Sequence, residues 1–242
     1  MRQDSFRSES IRPLSSAQVP KATDPSFVRW RETFVQNALT VIKSVPKWRS
    51  LGEENGIALY ERAMDHADSW FARISKHTRS LNTFKKGLLF EHVQKETNYN
   101  PYVESVEQLD TIIEDEMEVW MYSYKTPWYC RDKVYKQLVI SVVLDADSFM
   151  VLQAPVQYNG DTGLSAFSLR EVLSAYESID YVQRNPDSEE GGVLWTYAIR
   201  SSNNGFLSGF YGNSNVNKAL VRQVKRFKDW INKAHPRKTS SG

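Results

Sequence analysis

Between Glu116 and Arg200 apolar and polar residues alternate in one run after another, and from Asn215 to Ala234 the period lengthens to that of a helix. That succession narrows the fold more than any other feature of the chain. Met117, Val119 and Met121 alternate with Glu118, Trp120 and Tyr122. Val134, Leu138, Ile140, Val142 and Leu144 alternate with Tyr135, Gln137, Val139 and Ser141. A period of two sends each set to its own face of a strand. Phe149 to Val156 is nearly all apolar, and Leu169 to Val182 and Val193 to Arg200 add two more strand-like runs around the turn formers of Asn185 to Gly192. The pattern predicts an antiparallel meander with tight connections. In the last segment Val216, Leu220, Val224, Phe227, Ile231 and Ala234 recur at steps of three and four, with Trp230 on the flank. One stripe of that helix is therefore meant for burial, and a sheet that ends by gripping such a helix encloses a cavity. Lys218, Arg222, Lys225, Arg226 and Lys233 fall largely on the other side, either as a solvated basic face or as a face that meets anionic phosphate.

Upstream, Asp24-Pro25 forms a helix start, an N-cap followed by proline at the first helical position. Phe27, Trp30, Phe34, Ala38, Val41 and Ile42 make its buried stripe, and the helix is expected to end near Ser44 and Val45, before Pro46. Ile57 to Ala63 and Trp70 to His77 read as a hairpin turned at Asp65 to Asp68. Leu81 to Glu96 has a helical pattern, which Gly87 weakens by about 1 kcal/mol relative to alanine. Val103 to Ile113 returns to strand. The class is α+β: an N-terminal helix, then a curved antiparallel sheet wrapped around a long C-terminal helix. Residues 1–22 are polar, serine-rich and aperiodic and read as a disordered tail. Residues 23–236 then form one domain, and 237–242 a second short tail.

A chain of 242 residues with 40% hydrophobic content buries a substantial core. Its formal net charge of +2 offers no chain-wide field for nucleic acid, and no nucleic-acid partner is expected. The single cysteine, Cys130, excludes an intrachain disulfide, and there is no secretory apolar core and no apolar run of the ~18–20 residues that span a membrane. A soluble, cytoplasmic monomer is the expectation.

Catalytic constellations are scarce. The four histidines, His66, His77, His92 and His235, are dispersed and read as surface residues, and neither His-Glu-x-x-His nor Cys-x-x-Cys occurs, so no metal is expected. Gly205-Phe206-Leu207-Ser208-Gly209 has its serine one place too late for a nucleophile elbow. Asp161-Thr162-Gly163 matches the aspartic-protease triplet, but a single copy in a hairpin loop would need a second chain. Glu118 and Glu177 are the carboxylates that would bring catalysis back if they pointed into the cavity.

Several segments, in this order, resemble the START lipid-binding domain, and in particular its fungal START-like branch. Pro127-Trp128-Tyr129-Cys130-Arg131-Asp132-Lys133-Val134 resembles the lead into the central strand, and Phe149 to Val156 is similar to the strand that follows. Ser174-Ala175-Tyr176-Glu177-Ser178-Ile179 resembles the fungal Gly-Tyr-x-Ser-Val-Glu segment, and Trp195 to Asn213 the passage into the last helix. The likeness covers residues 24–235 and implies a helix-grip fold holding one lipid, a sterol, a phospholipid or another hydrophobic ligand, with no cofactor. Hiding a chain or ring recovers about 0.8 kcal/mol per CH₂, so specificity falls to the few polar groups inside. The cavity candidates are Trp120, Gln137, Val139, Ser141, Gln153, Ser174, Tyr176, Ser178, Trp195 and Tyr197. Gln137 stands where related sterol and phosphatidylcholine binders often carry a second arginine, which suits an uncharged or weakly polar head. Loading needs a gate, and two glycine-bearing loops with Leu164 and Phe167, and with Phe206, Leu207 and Phe210, fit one. Beside them Lys218, Arg222 and Lys225 would draw the protein transiently to an anionic membrane surface, at about 1 kcal/mol each. An enzyme acting on a hydrophobic substrate, as a cyclase or hydrolase, and an interaction module with a collapsed cavity remain as alternatives.

Overall fold

A computed structural model describes residues 6, 11–64, 68–124, 132–158, 171–173, 175–188, 191–202 and 212–236. The first helix, α1 (Phe27–Ser44), begins just beyond Asp24-Pro25, because the Asp24 carboxylate accepts hydrogen bonds from the backbone N–H and the hydroxyl of Ser26, at 2.8 and 2.7 Å. It buries Phe27, Trp30, Phe34, Val35, Ala38, Val41 and Ile42 and gives way to a 3₁₀ turn over Val45–Lys47, where Pro46 stops it. Within residues 1–22, Phe6, Ile11 and Leu14 are buried, Phe6 packs edge-on to Phe34, and Leu14 bridges to Val156.

Strand β1 (Arg49–Glu54) pairs with β2 (Ile57–Arg62) through Asn55-Gly56, both at positive φ. An Asn-Gly pair is the usual two-residue hairpin turn, so this hairpin was legible, although β1 is an exposed edge with no alternation to announce it. β2 pairs with β3 (Trp70–His77) as the pattern requires.

The single helix expected over Leu81 to Glu96 is broken. Instead, α2 (Leu81–Phe84), capped by the Ser80 hydroxyl, runs into a π turn (Lys85–Leu89), Phe90 is extended, and α3 (His92–Tyr99) starts after Glu91 at φ +53°. The cause is tertiary. At Gly87 a β-carbon would stand 2.6 Å from Ile231 Cδ1 and 3.0 Å from Phe227 Cζ, so the backbone lies hard against the last helix and the turn widens to fit.

The remaining strands are β4 (Val103–Ile113), β5 (Met117–Tyr124), β6 (Asp132–Asp145), β7 (Ser148–Pro155), the short β8 (Glu171–Leu173), β9 (Tyr176–Arg184) and β10 (Val193–Ser201), before α4 (Gly212–Ala234). The sheet order is β1-β2-β3-β10-β9-β7-β6-β5-β4, with β8 parallel to β6 off this path. All other pairs are antiparallel, as a meander demands. Only the helical passage from β3 to β4 crosses from one part of the sheet to its far edge. One face of the sheet packs on α1 with Trp70, Ala72, Leu138, Ile140, Leu152 and Ile179. The other closes on α4 and the α2–α3 passage, with Trp195, Phe84 and Phe227 at its centre. This is a helix-grip fold.

Candidate functional site

Beneath α4 lies a cavity walled by α3, β7, β9, β10 and the gripped helix. Leu88, Ile199, Val216, Ala219 and Leu220 supply apolar wall, and His92, Glu96, Gln153, Ser178 and Asp180 bring polar atoms to it. The strand contributions follow from alternation: Tyr176, Ser178 and Asp180 share one face of β9, as Trp195, Tyr197 and Ile199 share one face of β10. On the helical side Leu88, His92 and Glu96 recur every four residues. The cavity volume, counted as room for water centres, is about 50 Å³, enough for a few waters at ~10–15 Å³ each. A long-chain or ring-bearing ligand needs these walls to part.

Burial sets the ionisation of the polar groups. Desolvation pushes the Glu96 carboxyl up to about 7, with Asp180 adding to the effect, while Asn100 Nδ2 donates to Oε1 at 2.8 Å. Desolvation also raises Asp180, to about 6, against the pull of Arg73, and Trp195 Nε1 donates to its Oδ1 at 2.7 Å. The Arg73 guanidinium, buried, is brought down to about 10 by desolvation; it stacks 3.8 Å from the Trp195 ring and donates to Gln223 Oε1 at 3.2 Å. His92 is lowered to about 4 by desolvation, so its ring is neutral at pH 7, and the Gln153 amide nitrogen lies 3.1 Å from Nε2. Gln153 is the hub: its Oε1 accepts from Tyr176 Oη and Ser178 Oγ, and its Nε2 donates to Tyr122 Oη. Burial raises Tyr99, Tyr122, Tyr124 and Tyr176, so the hydroxyls stay protonated. The result is a set of neutral hydroxyl, amide and imidazole groups on one side of an apolar hollow, with Asp180 facing the Arg73 charge beside them and Glu96 near its midpoint at pH 7. Such groups lose several kcal/mol each if left bare, so they bond to one another, to water or to the polar end of a guest. Among the described residues no group of three or more potential ligands could hold a metal ion.

Of the residues that the sequence assigned to the interior, Gln153, Tyr176, Ser178, Trp195 and Tyr197 line the cavity. Trp120, Gln137 and Val139 are buried on the same side of the sheet without lining it, and Gln137 Nε2 donates to the Tyr176 carbonyl at 3.4 Å. Ser141 is half-buried farther along β6. Ser174 and the loop residues Leu164, Phe167, Phe206, Leu207 and Phe210 lie outside the described residues, as do Cys130, Arg131 and the Asp161 triplet. Lys218, Arg222 and Lys225 are exposed on α4, and Arg222 reaches the cavity lining.

Two readings are corrected. His77 and His92 are buried, not surface residues: His77 lies between Phe84 and Trp195 with Ser75 Oγ 2.8 Å from its Nε2, and desolvation lowers it to about 3. Glu177 is buried on the α1 side of the sheet in an ion pair with Arg200, and Glu118 accepts from Trp120 Nε1 at 2.8 Å; neither lines the cavity. The carboxyls that do are Glu96 and Asp180. Both carried a signal, Asp180 two residues beyond Ser178 on the same strand face, and Glu96 one turn beyond His92 on the stripe begun by Leu88.

This architecture is the fold of the START lipid-transfer domains. Human StAR-related lipid transfer protein 5 matches with a TM-score of 0.64 at 12% identity, over 86% of this chain and 95% of that one. Human STARD10 matches with 0.64 at 12%, over 89% and 84%. A STAR-related lipid transfer protein from Xanthomonas axonopodis matches with 0.60 at 16%, over 76% and 98%. The chain belongs to the family described as protein of unknown function (DUF3074), whose model matches residues 70–231. An uncharacterized protein of Schizosaccharomyces pombe (strain 972) is 52% identical over 241 residues, 98% of this chain and 100% of that one.

Proposed function

We propose that the protein binds one hydrophobic or amphiphilic lipid in the cavity under α4 and exchanges it with membranes. The observation that carries this reading is the hollow under α4 itself, with apolar walls on several elements and a hydrogen-bonded polar cluster around Gln153 and Glu96. The lipid-transfer neighbours share the fold, and no helix among the described residues is long and apolar enough to cross a membrane. Exchange requires α4 to move apart from the sheet, and Leu164, Phe167, Phe206, Leu207 and Phe210 are the gate residues proposed from the sequence. The site works by burial and hydrogen bonding, without chemistry on the guest. Transfer between membranes of a ligand held this way needs no cofactor.

Native mass spectrometry of protein purified from cells tests the reading, with one bound lipid per chain as the expected result. Adding that lipid at a hundredfold excess over Kd stabilises the fold by about 2.7 kcal/mol, a rise in Tm of roughly 5–11 °C for a domain of this size. An empty cavity and an unmoved Tm across sterols, phospholipids and neutral lipids would refute it. The narrowness of the interior favours one second reading, an interaction module whose cavity is collapsed, and the same spectra distinguish the two.

A further inference from the structure

The α2–α3 passage has two sides. Inward it sends Leu88, His92 and Glu96 to the cavity. Outward it presents Phe90, 50% exposed and the only aromatic among the described residues to stand out as a large exposed hydrophobic. Its position follows from the break between the π turn and α3, where Phe90 is extended and Glu91 adopts a left-handed φ of +53°, a conformation that costs a non-glycine residue free energy.

Cations gather at this corner of the fold. Lys95 Nζ donates to the Phe90 carbonyl at 3.1 Å and to the Lys86 carbonyl at 2.9 Å, clamping the turn from below. Lys86 is exposed on the preceding turn. Arg79 reaches across to Asn232 Oδ1 on the last turns of α4 at 2.9 and 2.6 Å. His235, just past that helix, is held below its ordinary pKa by burial and then by Lys86, Lys95 and Arg79, which places those three charges around one point. Among the described residues the anion paired with these cations is Glu91, on Lys95 at 2.9 Å. An exposed aromatic ring ringed by a surplus of positive charge complements the interface of an anionic bilayer: the ring enters the acyl boundary and the cations stay at the head groups.

We infer that the Phe90 corner, with Lys86, Lys95 and Arg79, is the face by which the protein docks on an anionic membrane surface. This rests on the reading that the cavity exchanges lipid with membranes, and it gives that exchange a direction. The docking element is the same short passage that walls the cavity, so a bilayer that draws Phe90 outward pulls on Leu88 and His92. It also puts the contact at the C-terminal end of α4, separate from Lys218, Arg222 and Lys225 in the first half and middle of that helix.

The test is co-sedimentation of the full chain with phosphatidylcholine vesicles, with and without phosphatidylserine at about a third of the lipid, beside native mass spectrometry of the same preparations. Binding is expected only to the phosphatidylserine vesicles. F90D, which adds one negative charge and removes the ring, should lower it about tenfold, and K86E, a reversal of two charges, about 25-fold, since each charge near such a surface counts for about a factor of five. V28D, which alters a still more exposed apolar residue on α1, is expected to leave it unchanged, and bound lipid should persist in all variants. Unchanged vesicle binding in F90D and K86E overturns the docking face while leaving the lipid reading intact. So does a loss seen only in K218E/R222E/K225E, and so does wild-type protein that ignores both kinds of vesicle.

Discussion

Replacing Glu96 by glutamine should make the protein more stable, and by an amount that grows with pH. Glu96 is buried, with Oε1 bonded to Asn100 and Oε2 without a hydrogen bond among the described residues. A carboxyl whose pKa is higher in the fold than in the unfolded chain holds its proton more tightly when folded. Its stabilising contribution is therefore complete below the unfolded value and is lost as pH rises through the folded one. Here the two values are 4.5 and about 7. At about 1.36 kcal/mol per pH unit the loss amounts to about 3 kcal/mol between pH 4.5 and pH 8. Glutamine keeps the acceptor for Asn100 and never ionises, so the variant escapes this loss. Its advantage should be close to zero at pH 4.5 and about 3 kcal/mol at pH 8, or roughly 6–12 °C in Tm. His77 and His92, whose lowered values oppose folding as pH falls, are present in both proteins and cancel in the difference. Removing a neighbouring carboxylate also eases the ionisation of Asp180, which acts in the same direction. Urea denaturation of both proteins at pH 5, 6, 7 and 8, followed by circular dichroism, measures the quantity directly. Two stability curves separated by a constant offset would refute the reasoning, since they would mean that Glu96 titrates alike folded and unfolded.

Other outcomes follow from the same structure. R200M strands Glu177 in the sheet face under α1, where both side chains are fully buried, and should cost about 3–5 kcal/mol in urea melts, with the double variant E177Q/R200M recovering most of it. G192A puts a β-carbon 2.3 Å from the His77 carbonyl oxygen; because that obstacle is backbone, the β3–β10 pairing must shift, at about 1–3 kcal/mol or more, read as a lower urea midpoint. Q153L removes the acceptor of Tyr176 and Ser178 and the donor to Tyr122, and should lower stability by about 1–3 kcal/mol per group left bare; a bound guest that supplies the missing partners would shrink that loss, which comparison of melts with and without lipid detects.

Much of this was written in local patterns. Alternation along β5, β6 and β9 and the stripe Val216–Leu220–Val224–Phe227–Ile231 determined the order of elements, the meander and the burial of the last helix, because a period of two or of about 3.6 depends only on backbone geometry and on which side chains avoid water. The same alternation placed Gln153, Ser178 and Tyr197 on the inner face. What depended on distant partners was illegible. The break at Phe90 exists because Ile231 and Phe227, some 140 residues onward, press on Gly87. His77 is buried because Phe84 and Trp195 close on it, and His92 because it faces Gln153 across the cavity wall, and isolated histidines carry no periodic signature. The ionisation of Glu96 and Asp180 and the pairing of Glu177 with Arg200 are decided by the same closure. Local sequence determined which face each residue takes; only the assembled tertiary structure decided what it meets there, because burial and charge are properties of surroundings that the chain brings together from far apart.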